Sequence, residues 1–229
     1  ATFVNAWNPS FDAAGKRVAA ALRHSLYEYG VAVDGVAWKS TYGSVWEPVF
    51  NPATGAVNAP ARVQGKWGLA IDDHMAWDAQ LWHVAFTPDG KTTAAIVAPT
   101  FGSFTVAVNN KPWELTFPVV TDLAVAQNGR AACLGSEYNK NFAVCVDGRA
   151  WSGRYDMAWA PVFSDDGANV AALVENKGKR TVVLNDKVYK EWFDMAYPPV
   201  FSPDGGKVLI RGISGGKFMR IVATPDAFH

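Results

Sequence analysis

Two aspartates occupy matching positions in the best-matched internal segments of the sequence. The segments are residues 155–159 (YDMAW) and 193–197 (FDMAY), and Asp156 and Asp194 are their second residues. A carboxylate that recurs in a repeat could line a central channel or bind a hard cation, which prefers oxygen ligands. It could also accept hydrogen bonds from the backbone of a neighbouring strand. Asp156 and Asp194 are therefore candidate channel carboxylates, with backbone hydrogen bonding as the simpler alternative.

The other residues that could do chemistry lack catalytic or metal-binding spacing. The four histidines stand alone, and single histidines without a spaced partner are weak metal ligands. A phosphate-binding glycine loop and a His-Glu-x-x-His motif are both missing. The sequence therefore predicts no catalytic residue, no metal site and no cofactor. An enzyme whose channel site uses Asp156, Asp194 and His83 is the least favoured alternative.

Two cysteines, Cys133 and Cys145, are twelve residues apart. If each lies on one of two adjacent antiparallel strands, the pair comes close together, and a directly opposite placement fits the spacing. A cross-strand disulfide and two buried free thiols both fit this placement, and the second is the ordinary use of cysteine as a small hydrophobe.

A repeat of about 38 residues organises the whole chain. Each copy has an apolar anchor residue followed by a glycine turn, as in the segment Phe201-Ser202-Pro203-Asp204-Gly205. The anchors advance by 39, 36, 39, 38 and 38 residues and are Phe11, Phe50, Phe86, Val125, Phe163 and Phe201.

A second series of aromatics follows the anchors by 26 or 27 residues and comprises Trp38, Trp77, Trp113, Trp151, Tyr189 and Phe228. Tight-turn pairs such as Asp34-Gly35 precede several of them. Each copy therefore predicts four antiparallel strands, with connections too short for helices. Such sheets bury their faces by stacking around an axis. We predict an all-β, six-bladed β-propeller that forms a single domain over residues 1–229.

The two ends of the chain are predicted to meet. Counting back through the repeat places residues 2–7 in the outer strand of the last blade. There they would pair with residues 217–223. The N-terminal strand would thus complete the sixth blade and lock the ring.

A third recurring position lies four residues before each anchor, where one blade crosses to the next. Five of its six residues are large aromatics, and only Thr121 is not. Trp and Tyr dominate interface hot spots, so these side chains are candidate partner-binding residues. Packing between blades is the alternative. The five crossover aromatics are Trp7, Trp46, Trp82, Trp159 and Tyr197.

Charge and hydropathy exclude several classes of partner. Basic and acidic residues number 21 each, which argues against a nucleic-acid binder, because phosphate contacts need a basic surface. No apolar run approaches the ~20 residues of a membrane span. The sequence begins at Ala1 without a basic-then-apolar segment. We therefore expect a cytoplasmic protein, or a periplasmic one if a signal peptide has been removed.

The glycine turns at residues 86–90, 163–167 and 201–205 resemble the WD40-like repeats of TolB-type propellers over the whole chain. With its ten tryptophans, the chain also resembles the tryptophan-rich accessory subunit of the transmembrane electron-transfer complexes of sulfate-reducing bacteria. That resemblance implies a cytoplasmic module that binds subunits of a membrane-bound redox complex and has no redox centre.

The predicted function is therefore a non-catalytic protein-interaction module. A carbohydrate-binding propeller lectin is the main alternative, because repeated tryptophans can stack on sugar rings.

Overall fold

The computed structural model describes residues 3–77, 79–138 and 140–229. In these residues the chain is all-β, and its strands form six antiparallel sheets. The remaining regular element is a 3-10 helix at Pro225–Ala227. No helix in these ranges has the length and apolarity that a transmembrane span requires. Residue 2 of the predicted N-terminal strand lies outside the described ranges.

The chain forms two compact units, which are described separately. The first contains Ala1–Phe101 and Ala107–Pro112, and the second contains Gly102–Val106 and Trp113–His229. The predictions of a single domain and of a closed six-bladed ring stay predictions.

The first three sheets contain thirteen strands. The first sheet contains β1 (Asn5–Phe11), β2 (Val18–Ser25), β3 (Glu28–Val33) and β4 (Val36–Ala37). The second contains β5 (Ser44–Val45), β6 (Val49–Phe50), β7 (Val57–Val63), β8 (Lys66–Ile71) and β9 (His74–Trp77). The third contains β10 (Gln80–Phe86), β11 (Thr93–Thr100), β12 (Ser103–Val108) and β13 (Lys111–Pro112).

The last three sheets contain the other thirteen strands. The fourth sheet contains β14 (Val119–Val125), β15 (Ala131–Ser136), β16 (Ala143–Val146) and β17 (Arg149–Ala150). The fifth contains β18 (Met157–Ala158), β19 (Val162–Phe163), β20 (Val170–Asn176), β21 (Lys179–Leu184) and β22 (Lys187–Val188). The sixth contains β23 (Met195–Ala196), β24 (Val200–Phe201), β25 (Val208–Ser214) and β26 (Lys217–Ala223).

The predicted turns confirm the repeat. Asp34 and Gly35 join β3 to β4 with φ angles of 51° and 80°, the positive values that a two-residue hairpin requires. Gly90 ends the turn after β10 with a φ of 65°. A Cβ on Gly90 would also lie 2.3 Å from the side-chain oxygen of Asn51, which belongs to the preceding repeat. Glycine is therefore needed at position 90 both for its backbone angle and for this close approach.

The cores lie between consecutive sheets of each unit. In the first unit, Leu69 of the second sheet and Leu81 of the third belong to one fully buried cluster. In the second unit, Val144 of the fourth sheet and Val170 of the fifth belong to another. Further clusters join the first sheet to the second and the fifth to the sixth. This packing of sheet face on sheet face is what a propeller requires.

The second series of aromatics serves packing. Trp151, Tyr189 and Phe228 are buried, with exposures of 9%, 3% and 2%. The Tyr189 and Phe228 ring centres are 5.5 Å apart. A Cβ on Gly148 would lie 3.3 Å from Trp113, so that ring contacts the tight turn of the next sheet. These rings therefore join neighbouring repeats.

The predicted pairing of the N-terminal strand with residues 217–223 is wrong. Residues 5–7 belong to β1 and pair with β2, with Trp7 opposite Ala21. The first strand of a repeat, which we call the inner strand, begins before the crossover aromatic. In the first repeat it runs through Trp7 to the anchor Phe11, with a register shift between them. The N-terminal residues are therefore part of the first sheet, and β26 pairs with β25.

The outer strands are short. In the fifth repeat the outer strand is β22 alone, and Phe193 makes an isolated bridge to Arg180. Residues 195–196 form β23 and pair with β25 of the next sheet. The crossover aromatics therefore lie within inner strands, after the crossover itself.

Candidate partner-binding surface

The crossover aromatics lie at breaks in the inner strands. Trp46 lies between β5 and β6, Trp159 between β18 and β19, and Tyr197 between β23 and β24. Their backbone N–H groups donate to the carbonyls of Pro60, Leu173 and Arg211, at 2.9, 3.0 and 3.0 Å respectively. Each strand is thus held at the aromatic residue, although its register is interrupted nearby.

The same irregularity occurs in the other sheets. The pairing of β1 with β2 shifts after Trp7, and the pairing of β10 with β11 shifts at Trp82. In the fourth sheet the shift follows Thr121, where Asp122 has a φ of 55°. A β-bulge bends its strand and redirects side chains, so this repeated bulge sets the direction of the aromatic rings.

The rings lie toward the end of each sheet where the second and third strands join, which we call the hairpin end. The Trp7 ring contacts Tyr29 edge-on at the start of β3, with ring centres 6.0 Å apart. The Trp46 ring lies 5.9 Å from that of Trp67, at the start of β8. In two sheets, therefore, the inner-strand aromatic contacts an aromatic just past the hairpin.

Arginines lie over the aromatic rings at the hairpin ends. The guanidinium carbon of Arg180 is 4.6 Å from the Trp159 ring centre, and that of Arg211 is 5.9 Å from the Tyr197 ring centre. In the second sheet Arg62 lies 5.8 Å from the ring of Trp67, which itself contacts Trp46. Such cation–π contacts contribute ~0.5–1 kcal/mol at exposed sites.

Arg180 links the fifth and sixth sheets in the second unit. Its Nε donates to Glu175 at 2.8 Å, and its Nη1 lies 2.8 Å from Sδ of Met195. Arg180 therefore contacts Trp159 and Glu175 of its own sheet and Met195 of the next. This contiguous group of residues contains an aromatic ring, a positive charge and a polarizable sulfur.

The crossover aromatics divide into exposed and half-buried members. Trp46 and Tyr197 are 46% and 41% exposed. Trp7, Trp82 and Trp159 are half-buried, and their contacts combine packing with a solvent-facing edge. Three methionines at the starts of short strands, Met75, Met157 and Met195, are 43%, 42% and 40% exposed.

The candidate channel carboxylates cap the hairpins. Asp156 accepts a hydrogen bond from the Lys177 backbone N–H at 2.7 Å, and Asp194 accepts one from Gly215 at 2.8 Å. Asp194 also forms an ion pair with Lys179. Hydrogen bonds from Lys179 and Gly215 lower the pKa of Asp194. The backbone hydrogen bonds of the simpler alternative are thus present, and both carboxylates are exposed.

The hairpin tips carry apolar residues that the sequence analysis did not single out. Leu26 and Tyr27 are 72% and 74% exposed at the tip of the first sheet. Phe101 is fully exposed in the third sheet, and Tyr138 is 77% exposed in the fourth. All of them lie between the second and third strands of their repeats. Aligning the repeats by sequence would therefore have placed these apolar residues at equivalent, turn-forming positions.

An apolar groove of about 440 Å³ lies beside Trp67 in the first unit. Trp67 and Phe101 are among its aromatic lining residues, and Gln80, Asn110 and Lys66 supply polar groups. This volume and lining fall in the range of small-molecule sites.

The two cysteines stand directly opposite each other on β15 and β16, as their spacing allowed. Both are buried free thiols. In the described part of the chain, no three His, Cys, Asp or Glu side chains come together as a metal site would require.

No family model and no curated protein sequence matches this chain. Solved structures do. The chain is similar to the β-propeller domain of the Trilobed protease from Pyrococcus furiosus, with 13% identity, a TM-score of 0.53, and coverage of 98% of this chain and 82% of that one. It is similar to the acylaminoacyl peptidase of Pyrococcus horikoshii, with 13% identity, a TM-score of 0.51, and coverage of 96% and 45%.

TolB from Acinetobacter baumannii is also similar, with 15% identity, a TM-score of 0.48, and coverage of 88% and 52%. The chain thus spans about half the length of TolB and of the peptidase. At this level of identity a likeness shows the fold alone, because propellers have many functions. The likeness to the two Pyrococcus proteins shows that the chain has a β-propeller fold.

Proposed function

We propose that this protein is a non-catalytic interaction module that binds a protein partner through its hairpin-end surface. The observation that carries the proposal is the group formed by Trp159, Arg180 and Met195, with Tyr197 nearby. Trp, Tyr, Arg and Met are enriched at protein interfaces, and the first three dominate hot spots. In this group Tyr197 and Met195 are 41% and 40% exposed.

The geometry of the group suits a hot spot. Arg180 is fixed by Glu175 at 2.8 Å and by the Trp159 ring. A side chain that is already ordered loses less conformational entropy on binding. A partner that covers this group would also remove water from the cation–π contact, which strengthens with desolvation.

The sequence resemblance provides the first partners to test. We propose subunits of a membrane-bound redox complex, bound on the cytoplasmic side by a module without a cofactor of its own. The neutral overall charge supports a protein partner over a nucleic acid.

The test is quantitative capture from solubilised membranes of the source organism, with mass spectrometry of the bound subunits. The double variant Trp159→Ala with Tyr197→Ala should retain at most about a tenth of the captured subunits. Phe11→Ala is the matched control, because it removes an exposed aromatic at the opposite end of its sheet. Equal capture by the double variant and the control, or no enrichment by the wild type, would overturn the proposal.

Carbohydrate binding is the second candidate, and the groove beside Trp67 favours it. Aromatic walls at Trp67 and Phe101 can stack on sugar rings, and the amides of Gln80 and Asn110 can bond to hydroxyls. A glycan array of wild type and Trp67→Ala tests this function. Binding that Trp67→Ala abolishes supports it, and a blank wild-type array excludes it.

A further inference from the structure

The sixth sheet differs from the others at its outer edge. In residues 3–77, 79–138 and 140–229, a short fourth strand follows the third strand in each of the first five sheets. The third strand of the sixth sheet, β26, pairs with β25. The chain then turns through the helix at Pro225–Ala227, and His229 exchanges backbone hydrogen bonds with Val188 of the fifth sheet.

The backbone of β26 presents its outer edge in a definite pattern. Gly215 and Gly216 form a two-residue turn that pairs Ser214 with Lys217. Hydrogen-bonded pairs alternate along antiparallel strands, so the N–H and C=O groups of residues 218, 220 and 222 point away from β25. Seven residues at ~3.3 Å each give an edge of about 23 Å.

The side chains along this edge are also open to solvent. Phe218 and Val222 are 64% and 63% exposed, and Arg220 between them is exposed. In the fifth sheet, by contrast, the third-strand residues Val182 and Val183 are completely buried. Among the residues that the structure describes, no backbone hydrogen bond reaches the outward groups of residues 218, 220 and 222. An extended strand with such an edge and with exposed apolar side chains is a template for strand addition.

The positive charge of β26 favours an acidic strand as the partner at its outer edge. Lys217 and Arg220 are basic, and the strand sequence KFMRIVA contains no carboxylate. A second copy added antiparallel about Arg220 would place two arginines opposite each other, which is destabilising. A carboxylate opposite Arg220 is stabilising instead.

We propose that the outer edge of β26 binds an extended, acidic segment of a partner protein by strand addition. Residues opposite Phe218, Arg220 and Val222 share one face of the sheet. The preferred segment therefore has an apolar residue, an acidic residue and an apolar residue at alternate positions. This site is separate from the hairpin-end surface, so its test does not depend on that proposal.

The first experiment uses capped seven-residue peptides with the sequence TVTETVT. Valine occupies the second and sixth positions, glutamate the fourth, and threonine the others. Fluorescence anisotropy of the labelled glutamate peptide should show saturable binding. A lysine at the fourth position should weaken binding by about tenfold. Amide exchange of residues 218, 220 and 222 should slow in the complex.

The second experiment uses variants that spare the contacts with β25. Val222→Pro removes one outward N–H, and proline is tolerated on an edge strand where the N–H faces solvent. It should reduce affinity by about tenfold, whereas Val222→Thr should retain it, because the outward N–H remains. Arg220→Glu should reverse the preference, so that the lysine peptide binds more tightly than the glutamate peptide. Circular dichroism confirms that each variant is folded.

Three results would overturn the inference. These are no binding of the glutamate peptide to folded wild type, equal affinity of the glutamate and lysine peptides, or a concentration-dependent dimer that Val222→Pro dissociates. The last result would assign the edge to a second copy of the chain. Peptide binding should be unchanged by Trp159→Ala with Tyr197→Ala, which separates this site from the hairpin-end surface.

Discussion

Arg180 lies over the ring of Trp159, with its guanidinium carbon 4.6 Å from the ring centre, while its Nε donates to Glu175 at 2.8 Å. The arginine thus holds the crossover aromatic at an end of the sheet where Met195 is also exposed. This one contact combines the two roles that the sequence left open for the crossover aromatics, because the ring is packed and still reaches the surface.

Arg180→Ala should weaken partner capture by about tenfold or more, because the variant removes both a hot-spot side chain and the support of Trp159. Stability should fall by only ~1–2 kcal/mol, since a partly exposed ion pair and a cation–π contact are each worth ~1 kcal/mol or less. Capture yield and urea denaturation measure the two effects. Lys187→Ala, an exposed cation elsewhere in the fifth sheet, is the control. Similar capture by both variants would contradict the prediction.

Arg130→Ala should destabilise the second unit. Arg130 donates to Asp147 at 2.7 Å and to Gly167 of the next sheet at 3.0 Å, and lies 5.8 Å from the Phe163 ring centre. Loss of these contacts should lower the free energy of unfolding by about 1–3 kcal/mol. Arg149→Ala removes an exposed arginine of the same sheet and should change stability by less than ~0.5 kcal/mol. Urea denaturation compares the two variants, and equal midpoints would count against the role of Arg130.

The sequence predicts the repeat because its turn residues and anchors encode local structure directly. Glycine at position 90, for example, satisfies both a positive φ and a close contact. The partners of the crossover aromatics could not be predicted in the same way. Arg180 follows Trp159 by 21 residues, whereas Arg211 follows Tyr197 by 14, so no common spacing identifies them. Their contacts depend on where each bulge directs the ring.

The pairing of the N-terminal segment shows a second limit. Repeat counting gives the position of Trp7 within a unit, but it does not give the partner strand. In the structure Trp7 pairs with Ala21 of β2. This pairing arises because β1 continues through a bulge from Trp7 to the anchor Phe11. Short segments with a proline or asparagine at the bulge lack the alternation that would have identified them as strands.

Glycines beneath aromatic rings should resist substitution. A Cβ on Gly135 would lie 2.3 Å from the Phe117 ring, and one on Gly212 would lie 2.7 Å from the Phe193 ring. Gly135→Ala and Gly212→Ala should each cost about 1–3 kcal/mol, because the rings must move within a packed sheet. Gly206→Ala is the control, since its nearest neighbouring atom is 3.6 Å away. If chemical denaturation gives the same free energy of unfolding for all three variants, this packing argument is wrong.

Acid should weaken the link between the first and second sheets. Burial tends to raise the pKa of Asp73, but hydrogen bonds from the backbone N–H groups of Lys39 and Ser40 outweigh it and hold the pKa below the usual range of an aspartate. A carboxylate with a lowered folded-state pKa stabilises the fold above its unfolded-state pKa, and this stabilisation is lost as the pH falls through the folded-state value.

Asp73→Asn should therefore lose less stability than wild type between pH ~6 and pH ~2.5. Urea denaturation across this range measures the difference. Asp165→Asn, which removes an exposed carboxylate from a turn of the second unit, controls for net charge. If wild type and Asp73→Asn show the same pH dependence, the hydrogen bonds to Asp73 do not stabilise the fold.

Cys133 and Cys145 should behave as buried thiols. They are 2% and 1% exposed and stand opposite each other on β15 and β16. A hydrogen bond to Cys145, together with burial, raises the pKa of the Cys133 thiol well above its ordinary value. A thiol reacts as its thiolate, so burial and protonation both protect Cys133. Reaction with Ellman's reagent should be at least ~100-fold slower in the folded protein than in urea, because the reagent reaches the thiols only when the sheet opens locally.

Substitution and alkylation of the two cysteines distinguish a packed pair of free thiols from a disulfide. Cys133→Ala removes one buried sulfur and should cost ~1 kcal/mol, whereas Cys133→Ser buries a hydroxyl and should cost ~1–3 kcal/mol when that group is unsatisfied. Alkylation in denaturant without a reductant should modify both cysteines. Protein that resists alkylation and has a mass lower by two hydrogens would contain the cross-strand disulfide instead. In that case Cys133→Ala would lose a covalent link, and its loss of stability would exceed that of a small cavity.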